Sequence, residues 1–145
     1  MQKITPFLWF DGNVEEAVTF YVSVFKDARI VSMTPMTATF ELMGQEFYAL
    51  NGGPRYKFTE AVSFFIKCET QDEVDYYWEK LTANGGAEQP CGWVKDRFGL
   101  SWQVIPNALG AYLSGNDQAK AQRVMQAMLQ MKKIIIEDLH KAAAA

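Results

Sequence analysis

The chain repeats itself at one fixed interval, and this constrains its fold more than any other feature. Sliding it by 56 positions lays Trp9 on Phe65, Val18 on Val74, Phe20-Tyr21 on Tyr76-Tyr77 and Phe47 on Gln103. One coincident pair means little, but agreement over a helix and two strands predicts two copies of one supersecondary unit. The unit reads as βαβββ. In the first copy, 3–10 has the aromatics of a strand and a proline near its start, where an edge tolerates one. Asn13 and Glu16 have capping-box spacing ahead of a helix whose Val14, Ala17, Val18, Tyr21 and Phe25 recur on one face. Strands are predicted at 29–34, 36–42 and 45–51, the last two joined in hairpin fashion at Met43-Gly44. The first two of these meet at Pro35-Met36, which leaves scarcely any residues for a turn: either the connection is that short or further residues belong there. Asn51-Gly52-Gly53-Pro54 breaks the pattern, and 55–60 is the predicted linker.

The second copy follows in the same order. A strand at 61–67 leads to Thr70 and Glu73, again with capping-box spacing, and to a helix burying Val74, Tyr77, Trp78 and Leu81 until Asn84-Gly85-Gly86 stops it. Strands near 87–94 and 100–106 complete it. Helices at about 108–114, 117–131 and 134–144 form a tail. The predicted fold class is α+β, with paired βαβββ modules over 1–107, about 1–53 and 60–107, and a helical extension of the same domain over 108–145.

Composition removes several classes of function. A chain of 145 residues holds one domain with a proper core and is too short for two ordinary ones. With 14 Lys plus Arg against 17 Asp plus Glu, it has no basic surface for a phosphate backbone, so no nucleic-acid partner is expected. No apolar run approaches the roughly 18 residues of a membrane span. The opening MQKITPFLWF lacks the apolar core and cleavage site of a leader, and Cys68 and Cys91 have no CxxC partner. Reduced thiols in a cytoplasmic chain are the expectation.

Alternation along the strands separates two faces. One set is almost wholly apolar: Tyr48, Leu50, Phe64, Ile66, Trp102 and Val104, with Leu8 and Phe10, assigned to packing under the helices. The other joins Thr5, Phe7 and Trp9 to Phe47, Ala49 and Asn51, to Ser63, Phe65 and Lys67, and to Ser101, Gln103 and Ile105. Aromatic walls with a few hydrogen-bonding groups fit a concave small-molecule pocket, lined by Thr5, Phe7, Trp9, Phe47, Asn51, Ser63, Phe65 and Gln103. The face filled by its own side chains or by a partner subunit is the competing reading, and Gln103 then serves only a nearby backbone group. Trp93 and Trp102 read as core. A Met-rich stretch, Val124, Met125, Met128, Leu129 and Met131, reads as a core or dimer-contact stripe, with an adaptable wall of a ligand site as the competing reading.

Catalytic constellations are missing. The sole histidine, His140, lies in an alanine-rich terminal helix and reads as a surface residue, so neither a Ser-His-acid nor a Cys-His unit is visible. The inner face carries no set of zinc ligands. No GxGxxG or GxxxxGK[ST] is present to cradle a nucleotide.

The opening ITPFLWFDGNVEEAVTFYVSVF, the middle GQEFYALNGGP with KFTEAVSFFIKCETQDEVDYYWEKL, and the closing CGWVKDRFGLSWQVIP resemble the PhnB-like branch of the vicinal oxygen chelate superfamily. The superfamily includes glyoxalase I, extradiol dioxygenases, and bleomycin and fosfomycin resistance proteins. The resemblance extends over essentially 1–140, tail included. Relatives often carry the name 3-demethylubiquinone 3-methyltransferase, but a methyltransferase using S-adenosylmethionine is expected to show a glycine-rich strand-to-helix turn, which this chain lacks. Metal-dependent members place one His or Glu on each of four inner strands. By position these places fall around Thr5 or Phe7, near Phe47, near Ser63 and at Gln103, none a strong ligand. The resemblance therefore implies a homodimer without metal or other cofactor, binding a small, partly aromatic or amphipathic molecule. A divalent-metal lyase or dioxygenase with atypical ligands is the alternative, and a structural or interaction dimer the second.

Overall fold

In a computed structural model, which describes residues 2–145, the chain divides into two compact units, the first ending at Phe58 and the second running over Thr59–Ala145. Each is built on a four-stranded mixed sheet. In the first unit β1 (Phe7–Phe10), α1 (Val14–Val24), β2 (Ala28–Met33), β3 (Thr37–Leu42) and β4 (Gln45–Asn51) give the order β1-β4-β3-β2. The second contains β5 (Ser63–Cys68), α2 (Gln71–Thr82), β6 (Ala87–Glu88), β7 (Trp93–Lys95) and β8 (Ser101–Pro106), in the order β5-β8-β7-β6. First and last strands run parallel in both units, and the others are antiparallel. The repeat read from the sequence is thus a repeat of topology. The tail folds as α3 (Asn107–Leu113), α4 (Gln118–Leu129) and α5 (Ile136–Ala144).

One helix covers one face of each sheet. In the first unit Tyr21 of α1 stacks on Phe40, which stacks on Phe47, with centroids 6.3 and 5.1 Å apart. Leu8, Phe10, Ala38, Leu42 and Ala49 are buried with them; full burial of a large apolar side chain stabilises by about 1.5–3 kcal/mol. In the second unit Val74, Trp78 and Leu81 of α2 are buried, as are Ile66, Trp102 and Val104 on the strands. The tail makes its own core from Leu109, Val124, Ile134, Leu139 and Ala143, sealed onto Ile105 of β8. Gln71, in the first turn of α2, holds the tail by donating to the Ile134 carbonyl and accepting from the Ile136 N–H.

Several local expectations change. Residues 3–6 do not join the ladder as strand; instead the Gln2 side-chain amide both donates to and accepts from the Glu46 backbone. Asn13 makes no side-chain cap bond. The Val14 N–H is taken by Asn51 Oδ1 at 2.9 Å, so the cap comes from β4, far along the sequence. Thr70 caps α2 as expected by accepting from the Glu73 N–H, while Glu73 reaches back one residue further, to the Glu69 N–H. The 87–94 strand is interrupted by a 3-10 turn at Pro90–Gly92. The junction at Pro35-Met36 is long enough after all. Thr34 N–H donates to the Thr37 carbonyl, and the Thr34 hydroxyl accepts from the N–H groups of Met36 and Thr37, closing a tight turn with its own side chain. Met43-Gly44 forms the expected two-residue hairpin, both residues at positive φ.

Candidate functional site

The face opposite the helix is the candidate site in each unit, and the predicted lining residues divide between the two. Residues paired across a ladder point to the same side, and β1 pairs with β4 as Phe7 with Tyr48 and Trp9 with Leu50. The open face of the first sheet therefore carries Phe7, Trp9, Tyr48 and Leu50. Phe47 is not on it. Phe47 is 4% exposed beneath α1, and the assignment of β4 from the sequence had its two sides exchanged. The cause is a difference in hairpin length. Ala38 pairs with Ala49, eleven positions on, whereas Val94 pairs with Trp102, eight positions on. The interval of 56 that fits the first and third strands shrinks to 53 in the fourth, and an odd slip turns every side chain over. The structural counterpart of Gln103 is Leu50. Asn51 also leaves the pocket set: besides capping α1, its Nδ2 donates to the Pro35 carbonyl at 3.0 Å.

What remains on the first open face is engaged by its own surroundings. The Trp9 indole N–H donates to the Gly53 carbonyl at 2.9 Å, and Tyr56 packs edge-on against its ring. The Gly52 backbone lies so close to the ring that a Cβ there would stand 2.3 Å from it. Phe7 and Tyr48 form an edge-to-face pair, and Arg29 and Glu41 an ion pair. Thr5, half-buried just before β1, makes no hydrogen bond among the described residues.

The second open face is different. The ladders place Ser63, Ser101 and Lys95 in one row across β5, β8 and β7, and Phe65, Gln103 and Trp93 in the next. The structure brings Ser63, Phe65 and Gln103 together. Trp93 belongs with them rather than with the core, because its neighbour Val94 takes the helix side; a three-residue strand had too little alternation to reveal this. Trp102 is core, its indole N–H donating to the buried carboxylate of Asp96. Asp96 Oδ1 also accepts from the N–H groups of Phe98 and Leu100, which lets the β7–β8 connection close in so few residues.

Polar groups on this face are left open. Gln103 Nε2 donates to Ser63 Oγ at 2.9 Å, and since a hydroxyl both donates and accepts, the other end of the amide stays open. Ser101 Oγ is fully buried, with no hydrogen-bond partner among the described residues. Lys95 is held 3.2 Å from Glu60, and this contact keeps the Glu60 carboxyl below its ordinary range. No three His, Cys, Asp or Glu side chains converge anywhere among the described residues. Cys68 lies on the helix side of β5, where burial pushes its thiol up to about 12 and so suppresses the nucleophilic thiolate. His140 is exposed, its Nδ1 2.5 Å from the Tyr112 hydroxyl.

Paired βαβββ units with a helix on one side of each sheet and a mixed polar and aromatic face on the other define the fold class shared by glyoxalase-related proteins. Comparison with known proteins makes the assignment specific. The family model described as 3-demethylubiquinone-9 3-methyltransferase matches residues 2–105. A solved Bacillus cereus protein, titled a putative 3-demethylubiquinone-9 3-methyltransferase, PhnB protein, is 35% identical with a TM-score of 0.67, the alignment covering 72% of this chain and 99% of that one. The chain belongs to this family, on the PhnB-like branch of the vicinal oxygen chelate superfamily. The same fold recurs in PA1353 from Pseudomonas aeruginosa, at 21% identity and TM-score 0.59, covering 73% of this chain and 98% of that one. It recurs too in the fosfomycin resistance protein FosX of Listeria monocytogenes, solved with Mn(II) and sulfate, at 14% identity and TM-score 0.56, covering 73% and 90%. No curated protein matches the chain. The family match stops at 105, so α3–α5 lie beyond it, whereas the resemblance read from the sequence had included the tail.

Proposed function

We propose that this chain is a metal-free member of its family that binds a small, partly aromatic or amphipathic molecule on the open face of the second sheet. The observation that carries the proposal is the pairing of Phe65 and Trp93 with polar groups that have no protein partner, the free end of Gln103 and the buried Ser101 hydroxyl. Unpaired polar groups beside exposed aromatics are what a ligand satisfies. The donor chemistry does not fit a resident divalent ion: the inner positions carry hydroxyl, amide and aromatic groups, and a neutral amide oxygen is a weak ligand beside a carboxylate. The S-adenosylmethionine that the family description implies fits no better. The helix N-termini that follow β1 and β5 are capped by Asn51 and Thr70, and neither turn is a glycine cradle.

The protein acts as a homodimer in this reading. Edge strand β2 exposes Ile30 at 39% and Val31 at 45%, and Phe7 on the opposite edge strand is 59% exposed, apolar edges that a second copy would cover. A cytoplasmic setting accords with two free cysteines. Native mass spectrometry of gently purified protein tests the proposal. A dimer carrying extra organic mass and no metal is expected; a stoichiometric divalent ion would overturn the metal-free reading.

A further inference from the structure

The two rows on the second open face have a definite chemical order. The first row, Ser63, Ser101 and Lys95, sets two hydroxyls beside one ammonium. The second, Phe65, Gln103 and Trp93, sets an amide between two aromatic rings. Phe65 and Trp93 stand two strand spacings apart, about 10 Å at the backbone, a width that admits one planar ring between them. Both rings are available: Phe65 is 54% exposed, and Trp93 is half-buried with no ring contact or side-chain hydrogen bond among the described residues. Lys95 has the exposed Glu60 carboxylate against it, a weak and exchangeable contact.

We infer that this face recognises an aryl carboxylate, its carboxylate held by Lys95 with the Ser63 hydroxyl and its ring seated between Phe65 and Trp93. This rests on the small-molecule reading above and adds the charge and geometry of the ligand. The rows are two residues apart along the strands, roughly 6–7 Å, which suits an arylpropanoate or arylacrylate better than a benzoate. The open end of the Gln103 amide lies between the two rows' chemistries and meets a polar ring substituent or the linking chain. Glu60 stands in for the ligand carboxylate in the free protein and is displaced on binding.

Calorimetric titration of the full chain with trans-cinnamate and its neutral isostere cinnamamide separates the possibilities. The expected result is that trans-cinnamate binds about tenfold or more tightly than cinnamamide, the scale of one charge-assisted contact. Lys95→Gln should abolish the preference for trans-cinnamate over cinnamamide, bringing the two probes to similar affinities. Glu60→Gln should tighten trans-cinnamate binding by releasing Lys95, an effect that a merely structural ion pair would not give. Equal binding of the two probes to the wild-type protein overturns the carboxylate assignment and leaves the small-molecule reading standing. Failure of both probes to bind, in a protein that also carries no organic mass when purified, overturns both.

Discussion

The two modules share a strand order but differ in what their open faces do with polar groups. In the first, the Asn51 amide and the Trp9 indole serve the fold: Asn51 caps α1 and holds Pro35, and the indole is tied to the loop through Gly53. In the second, a shorter hairpin leaves Gln103 and Ser101 on the open face with hydrogen-bonding capacity unused. In the proposed reading a duplicated scaffold divides its duties, one copy closing on itself while the other receives a ligand. What separates them physically is the length of one hairpin and the chemistry of a few inward positions.

Removing the carboxylate that closes the second hairpin should have the largest effect. Asp96→Ala strands three donors, the N–H groups of Phe98 and Leu100 and the Trp102 indole, and should lower stability by about 3–5 kcal/mol in urea unfolding. On the first module, Gly52→Ala pushes a methyl into the Trp9 ring and should cost about 1–3 kcal/mol by the same measurement. If the Gly52 change is harmless, the first face is looser than described and the contrast weakens. Met43 occupies a left-handed position in an exposed two-residue turn, so Met43→Asn should raise stability by about 0.5–1 kcal/mol.

The smallest effect is pH-dependent. The Gln71 amide and the Lys133 ammonium hold the Asp75 carboxyl below its ordinary value of 3.8. A depressed folded-state value stabilises the protein above the ordinary range, and that stabilisation is lost as pH falls through 3.8 and then through the lowered value. The carboxylate is 46% exposed and well screened, so the contribution should be a few tenths of a kcal/mol. Stability curves for Asp75→Asn and the wild-type protein should therefore converge on the acid side.

Much of the architecture was legible because it rests on local signals. Apolar spacing located α1 and α2, Met43-Gly44 marked its hairpin, and the tail helices fall within a few residues of their predicted bounds. Non-local facts were not legible. No feature around Val14 indicates that its N–H is satisfied by Asn51, a residue 37 positions away. A constant interval could not reveal that the second hairpin is three residues shorter, and that one change moved Phe47 from the expected pocket into the core. Trp93 was missed for a related reason, since its side is fixed by pairing with Gln103 and not by its own short strand.

The central claim is that the second face receives a ligand and the first does not, and the indole N–H resonances of Trp93 and Trp9 report on the two faces separately. In a nitrogen-15 correlation spectrum of the full chain, assigned with Trp93→Phe, the account predicts that added trans-cinnamate shifts the Trp93 indole signal and leaves that of Trp9, bonded to Gly53, in place. Movement of the Trp9 signal with Trp93 unchanged would contradict it and put the site on the first module.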